Sequence, residues 1–125
     1  MTIYATIDSI VASHLAAASI PYQHEAYESD PTSGVPPDKY AVFSVISDVP
    51  GSFFSNAKRM TDYRVQLDLV FPKGDKAGLH AAYLALESVL EAGGARPQGN
   101  YHMLTMDDGR VYIQKDYKIT IWESE

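Results

Sequence analysis

Along residues 61–71, TDYRVQLDLVF, apolar and polar positions alternate. Tyr63, Val65, Leu67, Leu69 and Phe71 share one parity, and Asp62, Arg64, Gln66 and Asp68 the other, until Val70 breaks the pattern. Alternation of this length predicts a strand with one face on a core and the other in water or on a polar partner. Pro72, Gly74 and Asp75 follow as a turn and helix-start signal. Leu79, Ala82, Tyr83, Leu86, Val89 and Leu90 then form an apolar stripe at helical spacing, predicting a helix over 76–92 with Asp75 as its N-cap and Gly93-Gly94 as its stop. A strand feeding a helix that must fold back over its apolar face is the centre of a two-layer α+β domain.

The rest of the chain extends or covers that sheet. Ile3, Ile7, Ile10, Val11, His14, Leu15 and Ala18 fall on one helical stripe, so residues 3–18 read as a helix that Ser19-Ile20-Pro21 terminates. Residues 22–28 read as a short strand, and 29–38, with three prolines and a glycine, as an irregular loop. Residues 39–49 are almost continuously apolar, which predicts a central strand with both faces covered, ended by Pro50-Gly51. Phe53 and Phe54 then sit in a loop-like connection that leads, through Lys58 and Arg59, back into the alternating strand as its antiparallel neighbour. Residues 96–100 read as a loop. Strands over 101–106 and 110–122 flank Asp107-Asp108-Gly109, a hairpin signal; Lys115 interrupts the apolar parity of the second, which is long enough to bend or bulge. The expected fold is therefore a single α+β domain over 1–125. It has the order α-β-β-β-α-β-β, with a mostly antiparallel sheet of four to five strands and two helices on one face.

Composition narrows the function more than the fold. An apolar fraction of 46% and a charged fraction of 21% are those of a globular chain. No cysteine is present, which removes disulfides, thiolate metal sites and cysteine nucleophiles. The first residues carry Asp8 and no basic leader, so no signal peptide is expected, and no apolar run approaches the roughly 20 residues that span a bilayer. The net charge is −6, and Lys58–Arg59 is the only adjacent basic pair, which disfavours nucleic-acid binding through phosphates.

Candidate chemistry is sparse. His14 lies on the apolar stripe of the first helix, where a packed histidine is the plainer reading, and no histidine pair has the spacing of a helical zinc site. His102 with Asp107-Asp108 could chelate a divalent metal, but an Asp-Asp-Gly turn explains the same residues. There is no phosphate loop, dinucleotide fingerprint or GxSxG elbow. The chain is read as a non-enzyme with no catalytic residue, no cofactor and no metal. Its functional content lies in contact residues. Phe53 and Phe54 either cap the sheet or insert into a partner, and the nine tyrosines suit either a core or an interface.

The N-terminal helix, the strands KYAVFSVIS and YRVQLDLVF, the helix GLHAAYLALESVLEA and a closing hairpin ending in YKITIWE follow one another in an order that resembles the tail terminator (tail completion, tail-to-head joining) proteins of long-tailed bacteriophages. The resemblance covers nearly the whole chain and rests on element order rather than on an invariant motif. It implies a virion protein, assembled in the host cytoplasm, that forms a ring, typically a hexamer, at the head-proximal end of the tail tube. The implied partners are the tail tube protein and a head-completion or connector protein. DNA would pass through the channel without specific binding, and no membrane would be involved. The family supplies no catalytic residues. Interface candidates are Phe53, Phe54, Lys58 and Arg59 in the connection between the two best strands, and Asp107, Asp108 and Arg110 at the hairpin tip. A small non-enzymatic adaptor acting as monomer or dimer is the alternative.

Overall fold

The computed structural model describes residues 3–25, 39–54 and 58–124, the backbone alone at 47–54, 58–59 and 122–124. The expected loop at 29–38, the end of the expected strand at 26–28, and the side chains of Phe53, Phe54, Lys58, Arg59 and Trp122 lie outside the described residues. The elements run α1 (Ile3–Ala17), β1 (Tyr22–His24), β2 (Tyr40–Phe54), β3 (Lys58–Phe71), α2 (Lys76–Ala92), β4 (Arg96–Thr105) and β5 (Val111–Ser124). This is the anticipated α+β order. The sheet is mixed, in the order β1-β2-β3-β5-β4, with β1 parallel to β2 and every other pair antiparallel.

One parity of the sheet meets the helices. Phe43, Val65, Leu67 and Leu69 from β2 and β3, with Ile113 and Tyr117 from β5, are buried against Ile7, Val11 and Leu15 of α1 and Leu79, Tyr83, Leu86 and Leu90 of α2. These are the positions that the two periodicities assign to the core. α1 ends one residue before its expected limit. Ser19 takes the left-handed conformation (φ 59°), so that the Ile20 N–H reaches the Leu15 carbonyl at 2.9 Å. Gly93 serves close packing: a Cβ there would lie 2.7 Å from the Ile10 side chain of α1. At the other end of α2, the Asp75 carboxylate accepts the Gly78 N–H at 3.0 Å. Replacing Asp75 with alanine should lower stability by about 1 kcal/mol, read as a lower denaturant midpoint with unchanged slope.

Four expectations are corrected. β2 does not stop at Pro50-Gly51 but continues to Phe54, so Phe53 and Phe54 belong to a strand and Lys58 and Arg59 open its partner: Phe53 pairs with Arg59 and Phe54 with Lys58. Among the described residues β1 covers β2 only at Ala41–Phe43, so Pro50 sits on a sheet edge, where a missing N–H is tolerated. Register shifts at Val45/Ser47 and Pro50/Phe53 absorb the irregularity. β4 begins at Arg96 rather than Tyr101, because the segment read as a loop pairs with β5 before and after a shift between Gln98 and His102. The bulge expected in β5 is therefore carried by β4. β5 itself pairs with β3 without a shift from Lys58↔Ser124 to Phe71↔Val111. Lys115 stays on the buried parity, where its ammonium donates to the Gly99 carbonyl inside the β4 irregularity.

α2 leaves the sheet after Phe71 and returns the chain at Arg96, level with Lys118 and Arg64. From Tyr63 to Lys58 the ladder of β2, β3 and β5 continues beyond the Arg96↔Lys118 pair, its inner residues Ile119 and Ile121 still buried in the core. Over that stretch β2 has no outer neighbour, and β5 has none beyond the Arg96↔Lys118 pair, among the described residues. Among the described residues the result is a three-stranded arm with two open edges.

Candidate interface surfaces

The face of the sheet turned away from the helices carries the polar parity of β3 and β5. Most of its charges are paired. Arg64 donates to Asp116 through Nε at 3.1 Å and through a terminal nitrogen at 2.6 Å. Arg96 donates to Thr120 Oγ1 at 2.7 Å and lies 3.6 Å from Asp62, to which Thr120 also donates. Such exposed pairs contribute little to stability, about 0–1 kcal/mol each, and mainly fix side-chain directions. Asp68 differs. Its carboxylate accepts only amide N–H groups, from Gln114 at 3.1 Å and Gln66 at 3.3 Å, and no cation pairs with it among the described residues.

Beside Asp68 the same face turns apolar. Tyr40, Val42 and Val70 are buried against one another, with Met106 and Tyr112 packed on them. They line a shallow hollow of about 330 Å³ that also receives Asp68, Gln114 and Glu25. Its signal is present in the sequence: Val70 breaks the alternation, and Tyr40 and Val42 make β2 continuously apolar. Periodicity reads this as a strand covered on both faces. The second cover is a sheet-borne cluster closed by the β4–β5 turn.

That turn holds three of the candidate residues. Asp107 and Asp108 precede Gly109 (φ 93°), whose N–H returns to the Met106 carbonyl at 2.9 Å, while the Met106 N–H donates to the Arg110 carbonyl at 2.8 Å. Asp108 accepts the Arg110 backbone N–H at 3.1 Å and its Nε at 2.8 Å. These two contacts, the backbone N–H foremost, hold its carboxyl below the usual carboxylate range. The Arg110 guanidinium lies 5.8 Å from the centroid of the Tyr40 ring, joining the turn to the hollow. His102 on β4 pairs with Gln114 of β5, and no group of three or more histidine and acidic side chains gathers as metal ligands would among the described residues.

Phe53, Phe54, Lys58 and Arg59 stand at the far end of the arm. From Lys58 to Val70, β3 climbs about 40 Å at 3.4 Å per residue. The candidates therefore form two surfaces at opposite ends of one strand. The chain matches no protein-family model and no curated protein.

Two further clusters had no sequence signal. Asp8 on α1 accepts Tyr22 Oη at 2.8 Å and lies 2.9 Å from His24 Nε2, tying β1 to the helix, and the Tyr4 ring stacks 4.5 Å from that of His24. Desolvation, with Asp8 adding to it, pushes the Tyr22 hydroxyl up to about 12. Inside the core, the hydroxyls of Tyr83 and Tyr117 both donate to one oxygen of Glu87, Tyr117 at 2.8 Å. Burial, and then the carboxylate, push both hydroxyls well above the usual tyrosine range. These contacts explain why a carboxylate sits on the inner side of α2: it satisfies two phenols that would otherwise be buried without acceptors.

Proposed function

We propose that this protein is a structural subunit of a ring, of hexamer size, that caps the head-proximal end of a phage tail tube, stops its growth and joins tail to head. The observation that carries this reading is the three-stranded arm. Edges open on both sides of a three-stranded arm, as they are among the described residues, are a hazard to a monomer, and the usual resolution is to cover them with another chain. The element order supports the same reading, since it is the order on which the resemblance to tail terminators rests. A ring needs heterologous contacts that close by rotation, and a subunit with different surfaces at its two ends suits that geometry. The net charge of −6 on each subunit would keep a central channel from holding the DNA backbone. In this role the protein needs no catalytic group and no cofactor.

Native mass measured from about 1 μM to about 1 mM, with negative-stain images of the large species, tests the proposal. A closed ring with a central hole is the expected result. A monomer or twofold dimer across the whole range overturns it in favour of the adaptor reading.

A further inference from the structure

Lys115, 6% exposed, is the one buried charged residue among the described residues, and none of their carboxylates pairs with it. The acids around it are engaged elsewhere: Asp116 by Arg64, Glu87 by the phenols of Tyr83 and Tyr117, and Asp68 by two glutamine amides. An ammonium carries three protons to donate. The Gly99 carbonyl accepts one, and no described residue accepts the other two. A charge buried without its counter-charge is costly, and buried charges are as a rule paired. The strand opposite adds further donors. Gln98 pairs with Asp116 and His102 with Gln114, so residues 99–101 face Lys115 alone and have no ladder partner. β4 is also the outermost strand, so no second strand takes up their N–H groups among the described residues. The gap opens on a cleft of about 280 Å³ lined by Arg64, Gln98, Gly99, Asn100, His102 and Lys115, with Asp116 its only acid.

We infer that this cleft binds a compact oxyanion, a phosphate or a carboxylate group, on the Lys115 ammonium. The anion supplies the counter-charge that the chain lacks there, and it accepts the protons that Gly99 leaves over. Gly99, left-handed at φ 70°, and Asn100 line the same cleft, and unpaired backbone N–H groups in such turns hold phosphates in other proteins. Arg64 gives Nε and one terminal nitrogen to Asp116 and keeps further N–H donors at the rim. A free phosphate and a partner's carboxylate present the same chemistry to Lys115. The site is complete within one chain and does not depend on ring formation.

Titrating the whole chain with sodium phosphate and, separately, sodium acetate tests this. Each anion is raised to about 50 mM while chloride holds the ionic strength constant. The expected result is a saturable shift of the Gly99, Asn100 and Tyr101 amide NMR signals, with those of α1 unmoved, and a matching rise in melting temperature. Lys115→Met keeps an apolar stem, removes the charge and should weaken binding at least about tenfold. Lys76→Met removes an exposed lysine of α2 instead, so it makes the same change in net charge and should leave binding as it is. Asn100→Asp puts a carboxylate at the lip of the cleft and should also weaken binding about tenfold, which covers the case that Lys115→Met does not fold. Saturation by phosphate alone assigns a phosphate site, by acetate alone a carboxylate site, and by both a general oxyanion site; each supports the assignment. No saturable shift with either anion, or an equal shift in folded Lys115→Met or Asn100→Asp, overturns it. A rise in melting temperature without the amide shift is a general salt effect and overturns it as well.

Discussion

Replacing Tyr117 with alanine should lower the free energy of unfolding by ~3–5 kcal/mol, the range for truncating a large buried aromatic side chain. Tyr117 is 1% exposed at the centre of β5, opposite Val65 of β3, and its ring fills the space between the sheet and α2. Alanine leaves a cavity there and deprives the half-buried Glu87 carboxylate of one of its two phenol donors. Both losses act in the same direction. Two milder variants separate them. Tyr117→Phe keeps the ring and removes only the hydroxyl, and should cost about 1–2 kcal/mol. Glu87→Gln keeps one acceptor oxygen for the two phenols and removes the charge. Its effect should fall well below that of Tyr117→Ala. Denaturant unfolding of the three proteins measures this order. A Tyr117→Phe loss equal to that of Tyr117→Ala would show that the cavity contributes nothing and that the hydroxyl network alone holds this part of the core.

Raising the pH should unfold the protein in a step coupled to tyrosine ionisation. Tyr22, Tyr83 and Tyr117 each have a folded-state hydroxyl raised above the ordinary value of 10.0, foremost by desolvation and then by a neighbouring carboxylate. Folding therefore favours their protonated forms. The stability this contributes is fully present below pH 10 and is lost as pH rises from there through the folded values, about 12 for Tyr22. In a spectrophotometric titration at the phenolate band, at least these three of the nine tyrosines should keep their protons until the far-ultraviolet dichroism collapses. Tyr117→Phe should remove one phenol from that late phase. If all nine phenols titrate while the dichroism remains native, burial of these hydroxyls does not couple to folding.

The parts of the fold that follow a period were legible in the sequence. α2 has the bounds expected from its stripe, its N-cap and its glycine stop. α1 misses by one residue, because the left-handed turn at Ser19 starts before the proline takes effect. The core parity of β3 and β5 follows from alternation alone. Strand ends were less legible. β2 runs past Pro50-Gly51 because a proline on an outer edge breaks no ladder bond, and a sequence does not show which strand is an edge. The same blindness put the bulge in β5. The register shift falls instead in β4, whose Gly99 carbonyl receives the Lys115 ammonium.

For the candidate site the division is similar. The turn residues Asp107, Asp108 and Arg110 are where the Asp-Asp-Gly signal placed them, and Phe53, Phe54, Lys58 and Arg59 are adjacent as expected, though in paired strands rather than a loop. The hollow could not be read, since it draws Glu25, Tyr40, Asp68, Met106 and Tyr112 from separate segments. The sequence by itself determined the element order, the inward parity and the absence of cysteine chemistry, because these depend on neighbours along the chain. Tertiary structure alone decided that Asp68 has no cation among the described residues while Asp62 and Asp116 have one, that Glu87 serves two phenols, and that the basic pair and the aromatic hollow stand at opposite ends of β3. Each depends on strand register, which long-range pairing sets and local spacing does not.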